Sequence, residues 1–305
     1  MAAVLDKIYH IPVLLTECIE GLNIKPDGTY VDATYGGGGH SSAILDRLGP
    51  NGRLVAFDQD EDALHNVKDD NRLFFINQNF EYLKHHLRYL GIDQLDGVLA
   101  DLGISSHQID TPDRGFSIRF DAELDMRMDK NHSLTAKRIL NTYSEEALQR
   151  MFGMYGEVQN ARTLAQTIAT YRQQRSIETV FQFKELIQPC VPKWKDNQYY
   201  AQVFQALRIE VNNELFVLQK FLQQSVSLLK PGGRLVILSY HSLEDRLVKN
   251  FISKGNFSGE DEKDFFGNRT KVMIPVNRKP ILASAEELEL NPRSRSAKLR
   301  IGEKL

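Results

Sequence analysis

The sharpest chemical signal in the chain is Asp32-Ala-Thr-Tyr-Gly-Gly-Gly-Gly-His40. Consecutive glycines let backbone approach a ligand closely, and a helix starting just beyond them presents N–H groups to it. The same run also suits a simple tight turn. Asp58 lies about twenty residues further on, at the spacing where a carboxylate can accept from ribose hydroxyls; otherwise it would open a helix. Asp101 ends another apolar run and puts a second carboxylate at a strand terminus. His40 has the chemistry of a base or a metal ligand, but its place in a first helical turn favours a structural or cofactor-contact role. His85-His86 has no third ligand at a matching spacing, so no metal site is predicted. His241, between Tyr240 and Ser242, suits either a substrate contact or packing at a helix start.

These groups need elements to hold them. Apolar, β-branched runs predict strands at Thr29–Ala33, Arg53–Phe57, Leu73–Ile76 and Asp96–Ala100. Helical stretches are predicted between them at His40–Leu48, Asp60–Val67 and Tyr82–Leu90. Strands alternating with helices mean a parallel sheet, with ligands at the carboxyl ends of the strands. The alternation stops at about Pro112. Ser133–Leu140, Ser144–Phe152, Ala161–Gln173 and Thr179–Ile187 then read as helices, with apolar residues three and four apart. A long helix over Gln198–Leu229, a turn at Lys230-Pro-Gly-Gly233, a strand at Arg234–Ser239 and a helix at Ser242–Ser253 resume the α/β pattern. Gly255–Gly267 reads as a polar loop, and Thr270–Ile274 and Ala297–Ile301 as closing strands. The prediction is a discontinuous α/β domain, 1–111 with 200–305, interrupted by an all-helical insertion at 112–199.

Composition narrows the function classes. The chain has 305 residues, 42% of them hydrophobic and 26% charged, which describes a folded chain rather than a disordered one. It shows neither a membrane-length apolar run nor a secretory signal, and its two cysteines, Cys18 and Cys190, exclude a disulfide framework. A cytoplasmic protein without a membrane partner is expected. With 38 Lys and Arg against 40 Asp and Glu, global charge points to no polyanion, so a nucleic-acid partner would need a local basic patch. The segment 269–305 holds such a surplus, with Arg293, Arg295, Lys298 and Arg300 close together; a solvated, charge-alternating strand reads equally well. Arg114, Arg119, Arg127 and Arg138 could extend the patch.

The glycine loop and Asp58 alone do not separate a nicotinamide cofactor from S-adenosylmethionine. Ser41 stands where the third glycine of a dinucleotide fingerprint belongs, which counts against a nucleotide-dependent oxidoreductase. Asp101 ends the fourth strand, beside the transferred group in a methyltransferase sheet, and Leu229-Lys-Pro-Gly-Gly-Arg-Leu235 is a turn common in that fold.

Eight ordered motifs make the resemblance specific. They are His10-Ile-Pro-Val-Leu-Leu-Thr-Glu17, Tyr35-Gly-Gly-Gly-Gly-His40, Asp101-Leu-Gly-Ile-Ser-Ser106, Arg114-Gly-Phe-Ser117, Leu124-Asp-Met-Arg-Met-Asp129, Phe204-Gln-Ala-Leu-Arg-Ile-Glu-Val-Asn212, Ser239-Tyr-His-Ser-Leu-Glu-Asp-Arg246 and Asn291-Pro-Arg-Ser-Arg-Ser-Ala-Lys298. Nearly the whole chain thus resembles the ribosomal RNA small subunit methyltransferase H family, also called MraW. The resemblance implies a class I, Rossmann-like methyltransferase sheet with an inserted helical domain for substrate recognition. It implies methylation of the exocyclic N4 of a cytidine in the decoding region of 16S ribosomal RNA, with S-adenosylmethionine as cofactor. The RNA would be met within the small ribosomal subunit, and a homodimer is left open. A non-catalytic, cofactor-binding assembly factor is the competing reading.

By that resemblance Gly38, Gly39 and His40 belong to the cofactor loop and Asp58 to the cofactor ribose. Phe80 lies beside the adenine, where an aromatic can stack on a purine, although a core phenylalanine is the alternative. Asp101 and Gln108 are implied cofactor contacts, and Asp101 is also the catalytic candidate. His241 and the basic group Arg293, Arg295, Lys298 and Arg300 are the RNA candidates. The Asp/Asn/Ser-Pro-Pro-aromatic motif of other amino-methyltransferases is absent after strand four, which leaves the amine-holding groups open. Pro189-Cys190 resembles the nucleophile dipeptide of cytosine C5 methyltransferases, but it falls inside the insertion, and amine methylation needs no thiol.

Overall fold

The computed structural model describes residues 12–261 and 271–305. Part of the opening motif, His10 and Ile11, and part of the predicted loop and strand between 262 and 270 lie outside the described residues. The strands are β1 Thr29–Asp32, β2 Arg53–Phe57, β3 Leu73–Ile76, β4 Leu95–Asp101, β5 Leu229–Ser239, β6 Met273–Pro275 and β7 Lys298–Lys304. The α-helices are α1 Leu15–Leu22, α2 Gly39–Leu45, α3 Leu83–Tyr89, α4 Ser106–Asp110, α5 Ala136–Thr142, α6 Glu145–Gly156, α7 Ala161–Tyr171, α8 Val180–Ile187, α9 Asp196–Asn212, α10 Glu214–Leu228, α11 Ser242–Lys254 and α12 Ala285–Leu290. None is long and apolar enough to cross a membrane among the described residues.

Two compact units divide the chain: Met1–Gly103 with Phe216–Leu305, and Ile104–Leu215. The first holds a seven-stranded sheet in the order β3-β2-β1-β4-β5-β7-β6. β1 to β5 pair in parallel, while β7 runs antiparallel to both β5 and β6. Strand order reverses between β1 and β4, so the crevice at their carboxyl ends is where an open sheet of this kind takes a ligand.

Alternation along the strands builds a core on each face. Val31, Val55, Val98, Leu235 and Ile237 point to one face, packed with Leu83 and Leu87 of α3, Phe221 of α10 and Phe251 of α11. Tyr30, Leu54, Leu99, Val236 and Leu238 point to the other, packed with Cys18 and Leu22 of α1 and Ile44 of α2. Gly97 in β4 is required by close packing, since an added Cβ would stand 2.9 Å from the Tyr30 ring.

The second unit is helical and has its own core, including Leu140, Phe152, Leu164, Ile168, Phe183 and Leu207. Side-chain caps explain several helix starts: Thr135, Ser144 and Thr179 accept from backbone N–H groups of the first turns of α5, α6 and α8.

Several elements differ from their sequence-based outlines. The predicted helix over Gln198–Leu229 is two helices, separated at Asn213, whose φ of 50° is left-handed. The helical unit, Ile104–Leu215, contains the whole of the expected insertion at 112–199. The Lys230–Gly233 turn lies within β5, where pairing with β4 jumps from Leu95–Leu229 to Gly97–Arg234. That irregularity absorbs extra residues in the manner of a bulge, with Gly232 at a φ of 78°. The stretch predicted as a helix at Asp60–Val67 is a 3-10 turn, Glu61–Asn66.

Candidate functional site

The candidate site lies in the sheet unit at the carboxyl ends of β1, β2, β3 and β4. The chain leaves β1 at Asp32 and passes through the glycine run into α2. Gly36 and Gly38 have φ of 51° and 75°, a region costly for residues with a Cβ. A Cβ on Gly38 would stand 2.7 Å from the Tyr35 hydroxyl, and one on Gly39 would collide with the Pro12 ring. A Cβ on Gly36 would meet open space, so backbone at that point is approachable from outside.

Asp58 holds this loop in place. Gly36 donates its N–H to Asp58 Oδ2 at 2.7 Å, and Asp60 donates to Oδ1 at 2.9 Å. The Asn66 amide donates to the Gly36 carbonyl at 3.1 Å. Burial pushes the Asp58 carboxyl up to about 6, against the pull of the two N–H donors, with Asp60 and Asp32 adding to the rise. Each oxygen keeps a further lone pair for a ligand donor.

Asp32 and Asp101 flank the reversal point. Asp32 is fully buried and accepts from Ser41 Oγ at 2.6 Å and from the Thr34 N–H at 3.1 Å. Asp101 donates its backbone N–H to Thr34 Oγ1 at 2.7 Å, which ties β4 to the β1 loop. The Tyr240 hydroxyl donates to Asp101 Oδ1 at 2.6 Å. His40 Nδ1 lies 3.8 Å from Asp101 Oδ2, too long for a hydrogen bond. Its Nε2 lies 3.1 Å from the Val13 carbonyl, which can only accept, so Nε2 carries a proton. Burial raises the carboxyls of both Asp32 and Asp101; His40 opposes the rise at each, and Asp32 adds to it at Asp101.

Tyr240 is the residue sequence reasoning passed over, being counted only as a neighbour of His241. Burial and the Asp101 carboxylate raise its hydroxyl well above the usual tyrosine range, so it serves as a donor to Asp101. Gly103, with a φ of 97°, leaves room for its ring: a Cβ there would come to 3.3 Å. Only the contact, not the spacing, identifies it.

The remaining predicted residues fall in several places. Phe80 follows β3, is half-buried, and packs its ring 4.9 Å from Phe221, so it is at once core and surface. His241 caps α11 through Nδ1, which accepts from the Glu244 N–H at 3.4 Å, and its Nε2 lies 3.2 Å from Glu244 Oε1. Arg293 and Arg295 are exposed. Lys298 is half-buried, 3.6 Å from Asp245 Oδ2. Arg300 departs from the expected basic surface: it is buried, and its guanidinium donates to Asp245 at 2.6 and 3.2 Å.

Gln108 belongs to the helical unit. It is buried rather than a solvated surface residue, and forms a reciprocal capping box with Ser105 at the start of α4. In the same unit Arg114 is buried and donates to the Arg127 and Met128 carbonyls. Arg127 forks onto Asp125 at 2.7 Å on both arms. These two arginines staple loops rather than extend a basic face. Cys190 is buried, 3.4 Å from Thr167 Oγ1.

A parallel sheet that reverses at β1/β4, is continued beyond β5 by an antiparallel β7, and carries a glycine loop with strand-end carboxylates is that of a Rossmann-like, class I methyltransferase. The comparisons narrow this to one group: the chain belongs to the MraW methylase family, whose model matches residues 7–305. It is 56% identical to the ribosomal RNA small subunit methyltransferase H of Flavobacterium johnsoniae, over 97% of this chain and 98% of that one. It is 54% identical to the protein of the same name from Parabacteroides distasonis, over 98% and 99%. Solved structures resemble it loosely. An rRNA methylase from Streptococcus thermophilus matches at 14% identity and TM-score 0.40, over 95% of this chain and 93% of that one. TrmN from Thermus thermophilus matches at 13% and 0.43, over 96% and 48%.

Proposed function

We propose that this methyltransferase uses S-adenosylmethionine to methylate the exocyclic N4 of a cytidine in the decoding region of 16S ribosomal RNA. The observation that carries the cofactor is electrostatic. Asp32, Asp58 and Asp101 stand at the ends of β1, β2 and β4. Asp58 would serve the ribose of either cofactor, but the further carboxylates of Asp32 and Asp101 suit a cationic sulfonium better than the pyrophosphate of a dinucleotide. An oxidoreductase is therefore disfavoured on charge as well as by family. The names of the relatives supply the ribosomal RNA.

The residues fit the cofactor as a set. Asp58 would accept from ribose hydroxyls, the half-buried Phe80 would stack beside the adenine, and the backbone of Gly38 and Gly39 with His40 would line the approach. Gln108 remains a proposed cofactor contact, and the helical unit a proposed substrate-recognition element. The bound cofactor supplies an electrophilic methyl group.

The chain's own contribution is positioning and charge. Tyr240 fixes one oxygen of Asp101 and leaves the other to accept from the cytidine amine. As positive charge grows on that nitrogen, a fixed, partly desolvated carboxylate gains value. His241 stays a substrate candidate. Arg293, Arg295 and Lys298 are proposed phosphate contacts, and Arg300 is withdrawn from that group. Labelled S-adenosylmethionine and unmodified small subunits test the reading. Label on the RNA is expected; none would leave the assembly-factor alternative.

A further inference from the structure

The chain's single tryptophan is placed where a folding protein gains nothing from it. Trp194 is 96% exposed, in the loop between Cys190 and α9. Its φ of 66° is left-handed, an outlier for a bulky side chain. The turn is fastened by the Lys195 N–H, which donates to the Pro192 carbonyl at 3.2 Å. Backbone strain of this sort persists where the surroundings enforce it, and an observed outlier is a reason to look for function. Lys193 and Lys195, on either side, are exposed as well. Trp194, Lys195, Asp196, Asn197 and Gln198 line an open depression of about 430 Å³.

We propose that this loop binds a single-stranded RNA nucleotide, its base stacked on the Trp194 indole and its phosphates met by Lys193 and Lys195. Asn197 and Gln198 bring amide groups that both donate and accept, as recognition of a splayed base edge requires. A base needs one aromatic face, whereas a stable protein interface needs about 800 Å² per partner. One indole flanked by lysines matches the first demand and not the second. The proposal rests on the reading of ribosomal RNA as substrate.

Because Trp194 is the only indole among eleven tyrosines, emission excited at wavelengths that tyrosine does not absorb reports this site alone. The full-length protein is titrated with an unlabelled single-stranded RNA of the decoding-region sequence, and retention of the same RNA, radiolabelled, is followed on filters. Quenching in step with retention is expected. Trp194→Ala should weaken retention about tenfold and Trp194→Phe much less, since stacking tolerates any aromatic face. The double variant Lys193→Gln/Lys195→Gln should lower the salt slope by about one to two. Retention with unchanged emission would overturn the proposal and leave the RNA reading standing. Emission that varies with protein concentration without RNA would make a second copy the occupant, and would also overturn it. No retention of this RNA or of small subunits would contradict the RNA reading and the proposal together.

Discussion

At the scale of single residues, the site is a set of carboxylates held under strain by burial. Asp58 shows the consequence most clearly. Its folded pKa of about 6 lies above the ordinary carboxylate value, so the ionised form costs stability above that pH and the cost fades as pH falls towards 4. Without cofactor, Asp58→Asn should therefore lack this loss of stability between pH 4 and 7.5, because an amide does not ionise, while at every pH its NH2 must face the Gly36 or Asp60 N–H. The same variant should bind S-adenosylmethionine about tenfold more weakly. In the parent, affinity should decline as pH drops through about 6, because protonation removes the ribose acceptor; in Asp58→Asn that decline should flatten. Thermal melts and calorimetry between pH 5 and 8 check both, and a variant with unaltered affinity would remove Asp58 from the site. Tyr240→Phe removes only the donor to Asp101. Of the groups facing that carboxylate, Tyr240 and His40 favour its ionised form, while burial, Asp32 and Glu244 oppose it. Losing the hydroxyl should move the acid limb of the kcat profile to higher pH and lower kcat at pH 7 about fivefold. Asp101→Asn should lower kcat further at saturating cofactor; single-turnover rates equal to the parent would make Asp101 a binding residue only.

At the scale of elements, the glycine loop is the part most sensitive to a single methyl group. Gly38→Ala forces a left-handed residue to carry a Cβ against the Tyr35 ring, which should cost about 1–3 kcal/mol and weaken cofactor binding with it. Denaturant melts measure the first and calorimetry the second; an unchanged midpoint would mean that the loop relaxes freely. The strands and most helices are legible in the sequence because apolar spacing follows the buried faces. What escaped depends on single backbone angles or on contacts distant in sequence. Nothing in the pattern around Asn213 distinguishes a helix that continues from one that breaks, because apolar residues recur on both sides. The β5 irregularity reads as a turn because Gly232-Gly233 is a turn signal, yet β4 keeps the segment extended. α1, Leu15–Leu22, has no counterpart among the predicted elements, because its first residues read as the end of the His10–Glu17 motif. In the candidate site, the glycine run, Asp58 and Asp101 can be placed at strand ends from the sequence, whereas Tyr240 and the pairing of Arg300 with Asp245 cannot, since each partner lies more than fifty residues away.

At the scale of the whole molecule, charge is sorted in a way the net value of −2 conceals. Acidic groups gather at the strand ends, where a sulfonium is proposed to bind. Exposed Arg293 and Arg295 lie near the C-terminus, and Lys193 and Lys195 in the helical unit. The central claim is that the methyl group goes to a cytidine amine. Its most direct test is mass spectrometry of nucleosides from 16S RNA after unmodified small subunits are incubated with the protein and S-adenosylmethionine. N4-methylcytidine should appear, mapping to the decoding region, and Cys190→Ser should yield the same product at a similar rate, because that thiol is buried in a helical core and amine methylation needs no adduct. C5-methylcytidine that vanishes in Cys190→Ser, or no methylated cytidine at all, would contradict the account.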